Sequence, residues 1–257
     1  MNIKNACNII ERFAPLDEQC DWDNCGLIVG DQDAELRGIL VCVDVTIDVV
    51  NEAIAKGCNL IVAHHPLIFN NLKKILADEL TGKILHIIIK NEINIYACHT
   101  TCDSCYGGLN DTFAKKLDIV NCIPLPSESC SRYGNLQNKT TFAELIEQVK
   151  KITQEEYVRS IGKMDKLVYN VAIITGSGGR NEQFIYQLKE HNVDVFITSE
   201  VKHCVALLLK EMNIGLIEIT HFAHEKHFIA LMSEVLTKNI NSNIVYESET
   251  SLNPYNA

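Results

Sequence analysis

The chain has 257 residues, with 33 acidic against 23 basic side chains and a formal net charge of −10 when histidine is neutral. An acidic balance with no Lys/Arg run argues against an electrostatic nucleic-acid binder, which needs a basic face against the phosphates; only a local basic patch would leave room for one. Hydrophobic residues make up 47% and charged residues 22%, enough apolar material for a packed core in one or two domains, which excludes wholesale disorder.

No run of about 18 apolar residues occurs, so no segment is expected to span a bilayer. The opening MNIKNACNIIERFAP lacks the apolar core and small-residue cleavage site of an export signal. Its Ile3, Ile9, Ile10 and Phe13 suit one face of an amphipathic helix instead. Eleven cysteines without such a signal are expected to be reduced, in a cytoplasmic protein. Cys98, Cys102 and Cys105 share the C-x3-C-x2-C spacing of the cluster motif in radical S-adenosylmethionine enzymes. Ser104 stands where that motif usually carries an aromatic, and no βα repeat of a barrel surrounds it, so three small buried thiols are the favoured reading.

Short apolar runs then alternate with helical periodicity, the pattern of an α/β protein. Residues 38–45 read as a buried strand, and Thr46 caps a helix that Gly57 ends. A strand at 59–63 stops at His64-His65-Pro66, a helix at 82–90 feeds a strand at 93–98, and a helix covers 109–117. Residues 122–139, with Pro124, Pro126 and Gly134, read as a junction between a first domain, 1–125, and a second, 126–257. Thr141 and Glu144 form a capping box before FAELIEQVKKI. A strand at 168–175 runs into Gly176-Ser177-Gly178-Gly179, followed by a helix at 184–190, the strand DVFIT, a helix at 201–212 and the strand GLIEI. A long helix at 224–239 and the strand NIVYES close the pattern.

The halves echo each other. AIAKGCNLIVAHH and QLKEHNVDVFITSE share a helix end, a turn and a buried strand, which sets His64-His65 opposite Ser199-Glu200. The next strands end in His99-x3-Asp103 and His221-x3-Glu225, in register after one inserted residue. A duplicated α/β half is the simplest explanation. The strand ends therefore carry three clusters of ligand-type side chains, at the place where open α/β sheets build their sites. Neighbouring histidines in a strand point to opposite faces and converge only if the backbone turns, which Pro66 enforces; otherwise they are two surface histidines. In a helical turn His221 and Glu225 share a face and suit one ion or two.

The ordered elements WDNCGLIVGD (22–31), VDVT (43–46), AHHPLIF (63–69), ACHTTCD (97–103), ITGSGG (174–179), TSEVKH (198–203) and THFAHE (220–225) span nearly the whole chain. Together they resemble the dinuclear metal-centre family known as GTP cyclohydrolase 1 type 2 homologues. The resemblance implies two intertwined, similar α/β domains with mixed, mostly parallel sheets and helices on both faces. It also implies a homohexameric ring with the metal pairs facing its interior. It makes His64, His65, Asp103, His221 and Glu225 the ligands of two divalent ions, Glu225 bridging, and leaves His99 to orient a carboxylate or bound water. Zn, Mn, Fe, Co and Ni all suit such a set. Ser199, in place of the family's usual glycine, and Glu218-Ile219-Thr220-His221, in place of D-x-G-H, alter the pocket but spare those five positions.

The activity implied is hydrolytic opening of a purine nucleotide or related ring, with Glu200 as proton shuttle because the echo sets it opposite the histidine pair. The alternative is a non-enzymatic metal-binding or metal-handling oligomeric scaffold. The glycine loop at 176–179 suits either a phosphate cradle, with Lys202 nearby in sequence, or a tight strand-to-helix turn. Trp22, the only tryptophan, is expected to serve packing, Asp23 and Asn24 either approach the site or do not, and His203 and Cys204 line the interior.

Overall fold

The first helix forms where the apolar spacing places it. In α1 (Ile3–Phe13), Asn2 and Asn5 cap each other reciprocally, and Ile3, Ala6, Cys7, Ile9 and Ile10 are buried. Next come β1 (Gly26–Val29), β2 (Ile39–Cys42), α2 (Ile47–Ala55), β3 (Leu60–Ala63), α3 (Leu80–Lys90), β4 (Asn94–Ala97) and α4 (Thr100–Ser104). The middle of the chain forms α5 (Leu109–Lys116), β5 (Ile119–Leu125), β6 (Glu128–Thr141), α6 (Phe142–Thr153), β7 (Arg159–Ile161) and β8 (Leu167–Ile173). The remainder forms α7 (Glu182–Glu190), β9 (Val195–Thr198), α8 (His203–Glu211), β10 (Gly215–Glu218), α9 (His221–Glu225), α10 (His227–Thr237) and β11 (Val245–Glu247). This computed structural model describes residues 1–180 and 182–255.

The chain divides into two units. The first joins Met1–Cys105 to Phe228–Leu252, and the second runs over Tyr106–His227 with the tail from Asn253. The division therefore falls at 105/106 and again at 227/228, away from the junction expected near 125, because α10 and β11 return to the first unit. In that unit the sheet order is β1-β4-β3-β2-β11, with β11, β2, β3 and β4 parallel and β1 antiparallel at the edge. Leu40, Cys42, Ile61, Ala63 and Ile95 pack on Val49, Val50 and Ala53 of α2 and on Ile84 and Ile88 of α3. Thr46 caps α2 by accepting from the Val49 N–H.

The second unit holds a mixed sheet, β5-β6-β8-β9-β10-β7. Its β8, β9 and β10 are parallel, and β7 is antiparallel at the edge. Both faces are covered. Val195 and Ile197 of β9 join a core with α5 and α6, while Phe196 between them joins one with α7 and α8. The parallel triplets β2-β3-β4 and β8-β9-β10, each flanked by an antiparallel edge strand, are the structural form of the sequence echo. His64 and Ser199 sit one residue past the ends of β3 and β9.

Two expectations change. Residues 122–139 belong to a long hairpin, β5–β6. Its polar composition hides it: Ser131 and Arg132 are buried, and Arg132 is satisfied by Asp111 and by the carbonyls of Ser129 and Ser131. Pro124 is tolerated because β5 is an edge strand, and Gly134 because a Cβ there would meet the Val120 carbonyl. The long final helix is two helices, α9 and α10, broken at Lys226, whose ammonium donates to the Thr153 carbonyl at 2.7 Å and to Gln154. The short strands β1 and β7 carry no signal that the periodicity registers. Among the described residues no helix is long and apolar enough to cross a membrane.

Candidate functional site

In the first unit three imidazoles meet. Pairing continues past β3, with the His64 N–H bonded to the Cys42 carbonyl at 3.1 Å and the His65 N–H to Val43 at 2.9 Å. His99 occupies the N-cap of α4, where β4 gives way to the helix. The ring centroids are 5.0 Å apart for His64–His65, 5.2 Å for His64–His99 and 5.3 Å for His65–His99. Ligand-type atoms of the three lie within 4.8 Å of one another.

Each ring is held by its Nδ1. His64 Nδ1 is 3.0 Å from the Cys98 carbonyl, His65 Nδ1 is 2.8 Å from Asp44 Oδ1, and His99 Nδ1 is 2.9 Å from Asp23 Oδ1. A carbonyl or carboxylate only accepts, so the proton of each neutral ring sits on Nδ1 and the lone pair on Nε2, the tautomer a metal needs. Asp103 on α4 is buried, with Oδ1 3.9 Å from His64 Nε2. Three oriented imidazoles with a buried carboxylate are a donor set that fits a divalent transition metal.

Asp23 anchors this arrangement. Its side chain is fully buried and accepts from His99 Nδ1, from the Thr100 N–H at 3.0 Å and hydroxyl at 2.5 Å, from the Asn24 N–H at 2.8 Å and from Cys25 Sγ at 3.1 Å. Burial alone would raise its carboxyl, but the hydrogen bonds from His99, Thr100 and Cys25 hold it well below the usual range. Trp22, expected to pack, is instead 60% exposed. Asp44 was not singled out from sequence; its signal is its position two residues past β2, the strand beside the one that ends in His65.

The second unit has its own cluster. Thr220 caps α9, its hydroxyl accepting from the Ala223 N–H. One turn of that helix stacks His221 on Glu225, and Nε2 lies 3.0 Å from Oε2 of a carboxylate that is 2% exposed. The other ring nitrogen, Nδ1, faces Glu200 Oε1 at 2.8 Å, and Arg180 pairs with Glu200 Oε2. Glu200 sits at φ 53, a left-handed turn directly after β9, which aims its side chain at His221. His224, between the two ligand-type residues, is buried against Phe113 with ring centroids 4.4 Å apart, and burial pushes its pKa down to about 3, so it stays neutral.

Gly176 has φ +66, and a Cβ there would overlap Glu225 Oε1 and approach the His221 ring. Its bare backbone lets the loop close over the carboxylate. Gly178 and Gly179 are explained by packing, since side chains there would strike Ile174, Thr198 and Val201. A cavity of about 280 Å³ in this unit, lined by Phe142, Lys166, Val195, Lys210 and Gly215, opens at the amino ends of β9 and β10, away from these residues. Cys98, Cys102 and Cys105 are all buried, whereas Cys204 and His203 are exposed, so the latter two do not line an interior in this chain.

Histidine and carboxylate groups at the ends of parallel strands, with ring nitrogens fixed by outer acceptors, give this mixed α/β protein groups that could hold a metal ion. The Duf34/NIF3 (NGG1p interacting factor 3) family matches residues 1–254, and the chain belongs to it. The chain is 35% identical to the GTP cyclohydrolase 1 type 2 homolog of Clostridium acetobutylicum, over 99% of this chain and 98% of that one. Its fold matches the Bacillus cereus protein related to NIF3 with a TM-score of 0.90 at 23% identity, covering 100% and 99% of the two chains. It matches reduced HcgD from Methanocaldococcus jannaschii with a TM-score of 0.86 at 26% identity, covering 97% and 98%.

Proposed function

We propose that this chain binds two divalent ions and acts as a metal-dependent hydrolase of a purine nucleotide or related ring, of the GTP cyclohydrolase 1 type 2 kind. The proposed ligands are His64, His65, Asp103, His221 and Glu225, and Glu225 would serve both ions. The observation that carries the reading is the Nδ1 restraint on His64, His65 and His221 by a carbonyl or carboxylate acceptor. Packing alone does not require three such restraints, and metal sites do. This set would hold divalent ions, which would supply polarisation of an electrophile and activation of water.

The chain's own residues supply the rest. Asp44 and Cys98 O hold His65 and His64 in the ligating tautomer, and Gly176 leaves room for the Glu225 carboxylate. Glu200 holds the Nδ1 proton of His221 and, with a side chain 37% exposed, is open to exchange protons with solvent. In this reading it shuttles a proton for the reaction. Glu200→Gln should then leave metal content nearly unchanged and lower turnover by about 10²- to 10⁴-fold. Loss of metal in that variant would make Glu200 a residue that positions His221 instead.

The decisive assay follows loss of purine-ring absorbance when metal-loaded protein meets GTP and related nucleotides. Turnover abolished by a chelator and restored by metal is expected. A wild-type protein that holds two ions and turns over none of them would refute the hydrolase reading and leave a metal-handling scaffold. We also propose a cytoplasmic homohexamer; light scattering that reports the 28.8 kDa monomer at micromolar concentration would refute the assembly.

A further inference from the structure

We propose that Trp22 and Phe69 form a stacking subsite for the planar heteroaromatic ring of the substrate, beside the imidazole cluster of the first unit. The proposal deepens the hydrolase reading and rests on it for the choice of a purine ring. A tryptophan that serves packing buries most of its surface. Trp22 is 60% and Phe69 46% exposed, yet their rings touch, with centroids 5.8 Å apart and planes inclined at 44°. Both border His99, at 5.9 Å from Trp22 and 6.3 Å from Phe69. Two open aromatic faces therefore stand at the rim of a group of ligand-type imidazoles.

Their positions are fixed, which separates them from stray surface hydrophobics. The next residue, Asp23, is buried and tied to His99 and Thr100. Asn24 then donates its side-chain amide to the Ile68 carbonyl at 2.6 Å, which pins the backbone immediately before Phe69. The tripeptide Trp22-Asp23-Asn24 thus supplies an aromatic face, orients an imidazole and locates the second aromatic ring. Stacking on such faces accepts any flat ring, and removing one aromatic partner costs roughly five- to a hundredfold in affinity.

Trp22 is the only tryptophan in the chain, so fluorescence excited selectively in tryptophan, beyond the absorption of tyrosine, reports this place alone. The full-length protein is titrated with guanosine 5′-monophosphate, with ribose 5-phosphate as the ring-free control, in metal-free and metal-loaded forms. Saturable quenching by the nucleotide and none by the sugar phosphate is expected. Equilibrium dialysis should show affinity for the nucleotide reduced about tenfold or more in Trp22→Ala and in Phe69→Ala, with metal content by elemental analysis unchanged in both. Equal affinity in wild type and both variants would overturn the subsite. So would a blue-shifted Trp22 emission that acrylamide does not quench, which would place a second copy of the chain over these rings. Ring-specific quenching without metal-dependent turnover would sink the hydrolase reading and leave the subsite standing; turnover with unchanged affinity in the variants would do the reverse.

Discussion

Replacing Asp23 with Ala should destabilise the protein by about 3 kcal/mol, because the bonds lost are buried and made to a charge. The carboxylate accepts from five donors, and alanine strands at least the Thr100 N–H and the His99 Nδ1–H, bonded at 3.0 and 2.9 Å. Each buried donor left without an acceptor costs about 1–3 kcal/mol, so two cost about 2–6, and water entering the space of the lost carboxylate keeps the sum in the lower half of that combined range. Urea denaturation of metal-free wild type and variant measures the difference, with the slope against denaturant unchanged if only the native state is affected. In a chain of 257 residues the same loss lowers Tm by roughly 6–12 °C. Asp23→Asn keeps one acceptor and should recover part of the stability. A variant Asp23→Ala within about 0.5 kcal/mol of wild type, the range of ordinary surface substitutions, would refute the claim that this residue anchors the cluster.

Other outcomes follow from the same geometry. Gly176→Ala places a side chain on Glu225 and forces alanine into the left-handed region, so it should cost about 1–2 kcal/mol in stability and weaken metal binding in dialysis; unchanged metal affinity would show that the loop does not shape the carboxylate's position. Asp44→Asn, which replaces the acceptor of His65 Nδ1, should lower metal affinity by about 10- to 100-fold, and an unaltered binding isotherm would contradict it. Burial opposes ionisation of Glu52, but the Glu249 N–H, the hydroxyls of Thr250 and Ser248, and Lys56 bring its pKa from 4.5 down to about 2. A folded-state pKa below the unfolded one stabilises above the unfolded value, so the gap between wild type and Glu52→Gln should be full at neutral pH and fade as pH falls from 4.5 to about 2. A gap that stays constant over that window in denaturation experiments would be the contrary result. Replacing Cys98, Cys102 and Cys105 together by Ser should leave metal content unchanged; loss of metal would return those thiols to the site.

The elements that position the cluster were legible because they are apolar runs with clear stops. The strands ending at Ala63 and Thr198, the Thr46 cap and the Thr141–Glu144 capping box all form. The β5–β6 hairpin was not, since a strand that buries Arg132 and Ser131 breaks the alternation on which strand reading depends. The domain division was hidden for a different reason: α10 and β11 are ordinary amphipathic elements, and nothing local says which sheet they rejoin. Within the cluster, ligand-type residues are visible as motifs and Asp23 as a neighbour of the site, but the acceptors of His64 and His65 are not. Asp44 and the Cys98 carbonyl act through position alone, and Glu200 was assigned from the echo before its bond to His221 gave it a partner. From sequence Trp22 reads as a packing residue, because a lone tryptophan usually packs; only the exposure of its ring distinguishes it.

Metal stoichiometry tests most directly the proposal that His64, His65, Asp103, His221 and Glu225 hold two ions per chain. Protein stripped with chelator, dialysed against a divalent transition metal and analysed for its elements should carry two ions per chain, and the Glu225→Gln variant should lose occupancy of both. Wild-type protein that binds no ion, or a Glu225→Gln variant that still retains two, would contradict the account.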